Sequence, residues 1–308
     1  MVTGGPRNVV IELNAVLVAL IDDTPQVLTL EDGALLPSGP FESDHPTLQT
    51  GLRAWVERQT HHPLGYVEQL YTFADRNRTE AGTGRRIVSI SYLGLTRERA
   101  ADGEREPGWQ SWYRYLPWED WRDGAPTLLK RIILPRLERW ATEPRDPHVT
   151  RERRHRVEGN FDERRWNEEA VLQRYELLYE AQLVPEAGRP RRPVAQPLPG
   201  APMRYDHRRI LATGIARLRA KIKYRPVVFE LMAPDFTLGQ LQRAVEALAG
   251  RRLHKQNFRR QVEQQGLVEE TGTMTSGTGG RPAKLYRFRR EILLERALGG
   301  TKLPVVRA

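Results

Sequence analysis

The tightest constraint on this chain lies between Phe236 and Gln265, where two short helical patterns are separated by only three residues. In Phe236 to Gly250, FTLGQLQRAVEALAG, Thr237 followed three residues later by Gln240 forms a capping box, and Gly250 supplies a helix stop. Arg251, Arg252 and Leu253 make the turn, and His254 to Gln265, HKQNFRRQVEQQ, is the second helix, ended by Gly266. Two short helices joined this closely make a helix-turn-helix. The second carries Lys255, Gln256, Asn257, Arg259 and Arg260 around Phe258 and Val262, which are expected to be buried. Leu267 to Phe288, LVEETGTMTSGTGGRPAKLYRF, has strand-like ends around a Gly/Ser/Thr tip and reads as a wing. Upstream, Tyr205 to Tyr224 predicts a helix stopped by Pro226, and Val227 to Met232 a short apolar strand.

Gln, Asn and Arg at the start of a second helix are the side chains that read base edges, and Lys or Arg around a wing suits phosphate. The expected partner is double-stranded DNA, met by Lys255, Gln256, Asn257, Arg259 and Arg260 from the helix and by Thr275, Ser276, Arg281 and Lys284 from the wing. Charge agrees. Residues 1–200 carry 27 Lys and Arg against 30 Asp and Glu, whereas residues 201–308 carry 22 against 9, so the net charge of +10 belongs to the C-terminal third. The chain has no cysteine, which excludes disulfides and thiolate metal sites, and no apolar run long enough to span a bilayer. A cytoplasmic protein without membrane contact is expected.

The first 200 residues read differently. Asn8 to Gly33 contains two β-branched strands around Asp22-Asp23-Thr24-Pro25. Gly65–Phe73 and Arg86–Leu95 are further strands, and Thr47–Gln59 is a helix. Thr127–Ala141 and Phe161–Leu183 read as helices. The Pro- and Arg-rich run from Val184 to Arg204 reads as a semi-rigid linker without a core. A strand pair, the Leu36-Pro37-Ser38-Gly39 turn, an Arg-bearing helix and more strands is similar to the order of Nudix domains. Their signature places glutamates on one helix face to hold Mg²⁺ against a diphosphate. Gly39, Arg53, Trp55 and Glu57 fall on that pattern. His45, Ala54, Arg58 and Thr60 stand where it has Glu, Glu, Glu and Gly. One remaining glutamate does not build the usual metal cluster, so no catalytic residue, metal or required cofactor is expected.

The whole pattern resembles the Nudix-related transcriptional regulators of NAD metabolism (NrtR type), in their longer proteobacterial branch. It rests on LPSGPF at Leu36, GLRAWVERQT at Gly51, GYVEQLYTF at Gly65, FTLGQLQ at Phe236, NFRRQV at Asn257 and GGRPAKLYRF at Gly279. The resemblance implies an α+β chain with an N-terminal Nudix-like α/β/α sandwich and helical extension (1–183), a linker (184–204) and a C-terminal winged helix-turn-helix (205–298). It implies a homodimeric repressor that grips a palindromic operator near NAD biosynthesis or salvage genes and senses a nucleotide: ADP-ribose, NAD or ATP. A diphosphate held without metal needs cations or free amides, so Arg53, Ser38, Gly39 and Arg86 are the expected contacts, with Tyr71 or Phe73 near the base. The competing reading is a nucleotide-diphosphate hydrolase with an accessory nucleic-acid domain, favoured by Gly39, Arg53 and Glu57. The four tryptophans of Gly108–Trp121 suit a core or an interface, Arg151–Arg156 a solvated loop, and Asp22-Asp23 a turn. His61 and His62 lack partners at metal-ligand spacing.

Overall fold

The computed structural model describes residues 9–61, 64–74, 86–97, 108–188, 194–275, 282–289 and 291, with Arg86 described by its backbone alone. In chain order the elements are β1 (Val9–Ile21), β2 (Thr24–Leu28), β3 (Ser38–Pro40), α1 (Leu48–Thr60), β4 (Tyr66–Phe73), β5 (Arg86–Leu95) and β6 (Trp109–Ser111). There follow α2 (Trp112–Tyr115), α3 (Leu134–Thr142), α4 (Pro147–Phe161), α5 (Val171–Glu180) and α6 (His207–Lys221). Last come β7 (Asp235–Phe236), α7 (Leu238–Ala249), α8 (Lys255–Gln264), β8 (Val268–Met274) and β9 (Lys284–Phe288).

β1 organises the first part. Its run VVIELNAVLVALI is rich in β-branched residues and buried on both faces, as a central strand must be. It pairs with β5 in parallel and with β2 and β3 antiparallel, in a sheet ordered β4-β5-β1-β2-β6 with β3 alongside. Asp22 and Asp23 take φ of 50° and 54°, the positive pair that a two-residue hairpin with right-handed twist requires. Leu13, Ala15, Leu17 and Ala19 point one way, onto Leu52 and Val56 of α1. Burying each of those two α1 side chains contributes roughly 1.5–3 kcal/mol. Val16 and Val18 point the other way, into the larger core.

The layer on that second face is α6. It seats Gly214 on Val16, and its Lys221 donates to the Tyr66 hydroxyl and pairs with Glu68 of β4. The helix expected to open the DNA-binding part is therefore the third layer of the sandwich, so a break at residue 205 does not describe the packing. The segment 184–204 is likewise no bare spacer, since Val184, Ala187, Leu198 and Met203 are buried. Its described parts, residues 184–188 and 194–204, are laid against the core by those apolar side chains, with Glu186 matched to Arg208 at 3.2 Å.

The helical extension also differs from expectation. The run around Arg151–Arg156 is helical, started by Pro147 after an Asp146 side chain that accepts from the His148 amide. The helix expected over Phe161–Leu183 is interrupted, because Asp162 ends α4 and accepts from the Arg164 amide, so only Val171–Glu180 continues. Leu129–Ile133 forms a π-helical turn ahead of α3. Trp109, Trp112 and Trp118 are core residues.

The winged part matches its signals more closely. Thr237 and Gln240 form the capping box, and Gly250 takes φ of 72°. Val227–Met232 is not a strand: Val227–Glu230 is a 3-10 turn after Pro226, and the third strand of the wing sheet is β7, in the order β7-β9-β8. A buried carboxylate joins the parts. Glu119 accepts from Arg174 of α5 and Arg219 of α6 at 2.7 Å each, and Arg219 also donates to the Leu248 carbonyl in α7.

Candidate nucleic-acid interface and nucleotide site

Phe258 and Val262 turn one side of α8 into the core, which leaves the opposite side to solvent. Lys255, Gln256, Asn257, Arg259 and Arg260 are all exposed: Gln256, Asn257 and Arg260 on the side away from the buried pair, Arg259 on its flank, and Lys255 in the open first turn. Arg260 donates to the Asn257 side-chain oxygen at 3.2 Å. The structure thus brings together all five helix residues expected to face DNA.

The wing is less open. Lys284 holds Glu270 at 2.8 Å, and that hydrogen bond lowers the Glu270 pKa and raises that of Lys284. Thr275 closes the hairpin by donating its amide to the Ala283 carbonyl and accepting the Ala283 amide on its hydroxyl. Its hydroxyl is already engaged. Ser276 and Arg281 lie outside the described residues.

The expected diphosphate contacts on α1 are turned inward. Arg53 donates to the carbonyls of Leu64 and Gly65, so its guanidinium ties α1 to the start of β4 rather than facing an open pocket. The Ser38 amide donates to Gln59 Oε1 at 3.1 Å, and Gln59 Nε2 donates back to the Ser38 carbonyl at 2.8 Å. Gly39 lies beneath Trp55, where a Cβ would come 2.1 Å from the indole. That ring also donates to the Pro40 carbonyl and carries Arg58 stacked at 3.9 Å. The signature glycine serves packing here, and the Ser38 amide and two nitrogens of the Arg53 guanidinium are bonded to the chain itself. Gln59 and Trp55 were not readable as partners because their contacts with Ser38, Gly39 and Pro40 span the gap between turn and helix, whereas Arg58 and Trp55 are three residues apart on one helix face.

Tyr71 and Phe73 come together, with rings 5.0 Å apart and Tyr71 exposed. Arg209, at the start of α6, lies 4.4 Å over Phe73 and pairs with Glu176. The same sheet face holds a polar row in register: Glu12, Asn14, Ser89 and Ser91. Burial raises the Glu12 pKa. Asn14 is fully buried with no hydrogen-bond partner of normal geometry, though it lies close enough to favour the Glu12 carboxylate. His207 accepts the Leu36 amide on Nδ1 at 2.8 Å, which leaves the proton on a buried, unpartnered Nε2, and burial lowers its pKa to about 4. Arg209 and His207 were missed because α6 was assigned to the other domain. Among the described residues, the one group that could hold a metal ion is Glu42, Asp44 and His45, whose ligand atoms lie within 4.8 Å of one another. His62 lies outside the described residues.

Comparison with known proteins follows the same division. Residues 228–288 match the family model of the NrtR DNA-binding winged helix domain. An ADPR responsive transcriptional repressor NtrR of Acinetobacter baylyi is 43% identical over 84 residues, 27% of this chain, and the match spans a third of that repressor's length. Shewanella oneidensis NrtR is similar in fold, with a TM-score of 0.53 at 19% identity, covering 91% of this chain and 94% of its own. In its complex with a 27mer DNA the values are 0.51, 20%, 91% and 93%. A MutT/nudix family protein from Enterococcus faecalis gives 0.51 at 15% identity, covering 94% and 90%. The chain has the fold of these proteins, a Nudix-like sandwich followed by a winged helix. No described helix is long and apolar enough to cross a membrane.

Proposed function

We propose that this chain, of the NrtR type in its winged helix and in its fold, is a cytoplasmic, homodimeric transcriptional repressor of NAD biosynthesis or salvage genes. The observation that carries the reading is the exposed face of α8, where Gln256, Asn257, Arg259 and Arg260 stand over buried Phe258 and Val262. Asn and Gln pair with two atoms of an adenine edge and Arg with two of a guanine, so this row can read sequence in the major groove. A two-fold dimer would set two such helices on a palindrome. The DNA-bound Shewanella relative supports this partner.

The effector in this reading is a nucleotide of the ADP-ribose class, in line with the name of the Acinetobacter relative. Its place shifts from the α1 end to Tyr71, whose exposed ring offers a stacking surface beside buried Phe73 and Arg209. Arg86 remains a candidate contact. From there α6 runs to Arg219, which bonds α7, so a nucleotide that moves the start of α6 acts on the reader through one rigid helix. Hydrolysis is absent in this reading, because His45, Ala54 and Arg58 replace three glutamates and Arg58 is stacked on Trp55. Glu42, Asp44 and His45 favour the second reading, a metal-dependent hydrolase of nucleotide diphosphates that uses Glu57. Fluorescence anisotropy against a duplex selected by the chain from a random library, with and without ADP-ribose, tests the first reading. Preference over a scrambled duplex, altered by ADP-ribose, is expected. Equal binding to both duplexes, or multiple turnovers of ADP-ribose with Mg²⁺ that vanish in Glu57→Gln, contradicts it.

A further inference from the structure

The turn that leads into α8 is built partly from outside the winged helix. A Cβ on Gly250 would come 2.5 Å from the Glu119 carbonyl and 2.7 Å from the Arg219 guanidinium. The Trp121 amide donates to the Gly250 carbonyl at 2.7 Å, and Arg252 Nε donates to the Arg122 carbonyl at 3.3 Å. These contacts hold the 122–125 loop beside residues 250–254. In helix-turn-helix readers the start of the second helix enters the major groove while the first helix crosses the backbone, so the turn between them runs along the phosphates.

Arg252 is the exposed cation of that turn, 61% exposed and shared between two carboxylates: Glu246 at 3.3 Å and Asp123 at 3.6 Å. Glu246 belongs to α7 and is fixed against the turn, where it accepts from the Leu253 amide and from Gln242. Asp123 is different. It is 96% exposed, on a loop whose Gly124 has φ of 92° and open space around it, and it belongs to the part of the chain before α6. An exposed ion pair of this kind shifts an equilibrium by no more than about fivefold, so a backbone phosphate can exchange for it.

We propose that Arg252 contacts a DNA backbone phosphate at the edge of the major groove, and that Asp123 competes with that phosphate for it. A loop outside the winged helix thereby sets part of the DNA affinity. The proposal rests on the DNA-binding reading above and adds a surface to it.

The test is a set of anisotropy titrations of the full chain over a range of salt, on the library-selected duplex and on a scrambled duplex of equal length. Wild type, Asp123→Asn, Arg252→Ala and the double variant are compared. Asp123 is 96% exposed, so its variant is expected to melt as wild type, whereas Arg252→Ala also loses the bond to the Arg122 carbonyl, and thermal melts establish that each chain is folded at the titration temperature. Asp123→Asn is expected to tighten both duplexes about twofold to fivefold. Arg252→Ala weakens both and reduces the slope of log affinity against log salt by about one. The double variant matches Arg252→Ala, because the competitor acts only through that arginine. An Asp123→Asn chain that binds no tighter, or gains as much in the Arg252→Ala background, overturns the competition, and an unchanged salt slope in Arg252→Ala overturns the phosphate contact. A wild-type chain that prefers the selected duplex locates any such failure in this proposal; one that binds neither duplex overturns both readings.

Discussion

α1 and α8 are short helices with cationic side chains expected to meet a ligand, a diphosphate for α1 and the base edges of DNA for α8, and the structure uses them in opposite ways. In α1, Arg53 and Gln59 spend their hydrogen bonds on the chain's own backbone, and Arg58 covers Trp55. In α8, Lys255, Gln256 and Arg259 are exposed, and Arg260 reaches only its neighbour Asn257. The sequence position of a cation in a motif therefore says less about function than whether local backbone carbonyls lie within its reach. Arg53 has two such carbonyls at Leu64 and Gly65, beyond the end of its own helix.

The largest effect that sharpens this contrast is expected at Glu119, which ties α5 to α6, the helix that in turn bonds α7. Glu119→Gln leaves Arg174 and Arg219 buried beside a neutral group. Stability should fall by about 3–5 kcal/mol, the usual cost of breaking a buried ion pair from one side. Chemical denaturation followed by tryptophan fluorescence checks it, and a loss below about 1 kcal/mol would show that the joint is not what holds the two parts together.

His207 comes next. Burial holds its folded pKa at about 4, below the ordinary 6.5, so between those values the unfolded chain binds a proton that the folded chain refuses. Stability should therefore rise with pH from about 4 to 6.5 and level off above, with on the order of 3 kcal/mol at stake. Denaturation midpoints from pH 4.5 to 7.5 should show that slope in the wild type and a shallower one in His207→Gln. Equal slopes would mean that the first turn of α6 admits water.

Gln59→Ala removes two bonds from the Ser38 backbone and should cost about 1–3 kcal/mol, with DNA affinity unchanged. A parallel loss of DNA binding would break the contrast between α1 and α8. The smallest effect is Arg58→Glu, which restores a carboxylate to the box. Losing an exposed cation–π contact should cost below about 1 kcal/mol, and no ADP-ribose turnover should appear, since His45 and Ala54 are unaltered.

How much of this was legible follows from the range of the contacts involved. The capping box at Thr237, the stop at Gly250 and the Asp22-Asp23 turn depend on neighbours within four residues and were read in place. The exposure of Gln256, Asn257 and Arg260 on α8 followed from the spacing of Phe258 and Val262, whereas that of Lys255 comes from its place in the first turn. Position in space was another matter. Nothing local to Gly214 or Lys221 announces that they pack on Val16 and Glu68, about two hundred and one hundred and fifty residues away in sequence. The helix 161–183 failed because Asp162 can cap a new turn as readily as continue an old one. At the proposed nucleotide site Tyr71 and Phe73 are expected from their motif, but Arg209 comes from a helix that sequence pattern alone gave to the other domain.

The most direct measurement of the central claim titrates the library-selected duplex and its scrambled control with three chains: wild type, Arg53→Ala and Arg259→Ala. If α8 reads bases and α1 serves the fold, Arg259→Ala should lose about 1–3 kcal/mol on the selected duplex while keeping its melting temperature. Arg53→Ala should lower the melting temperature and, where folded, bind as wild type. Selected-duplex affinity that survives Arg259→Ala and also Arg260→Ala, but falls with Arg53→Ala in a folded chain, would contradict the account.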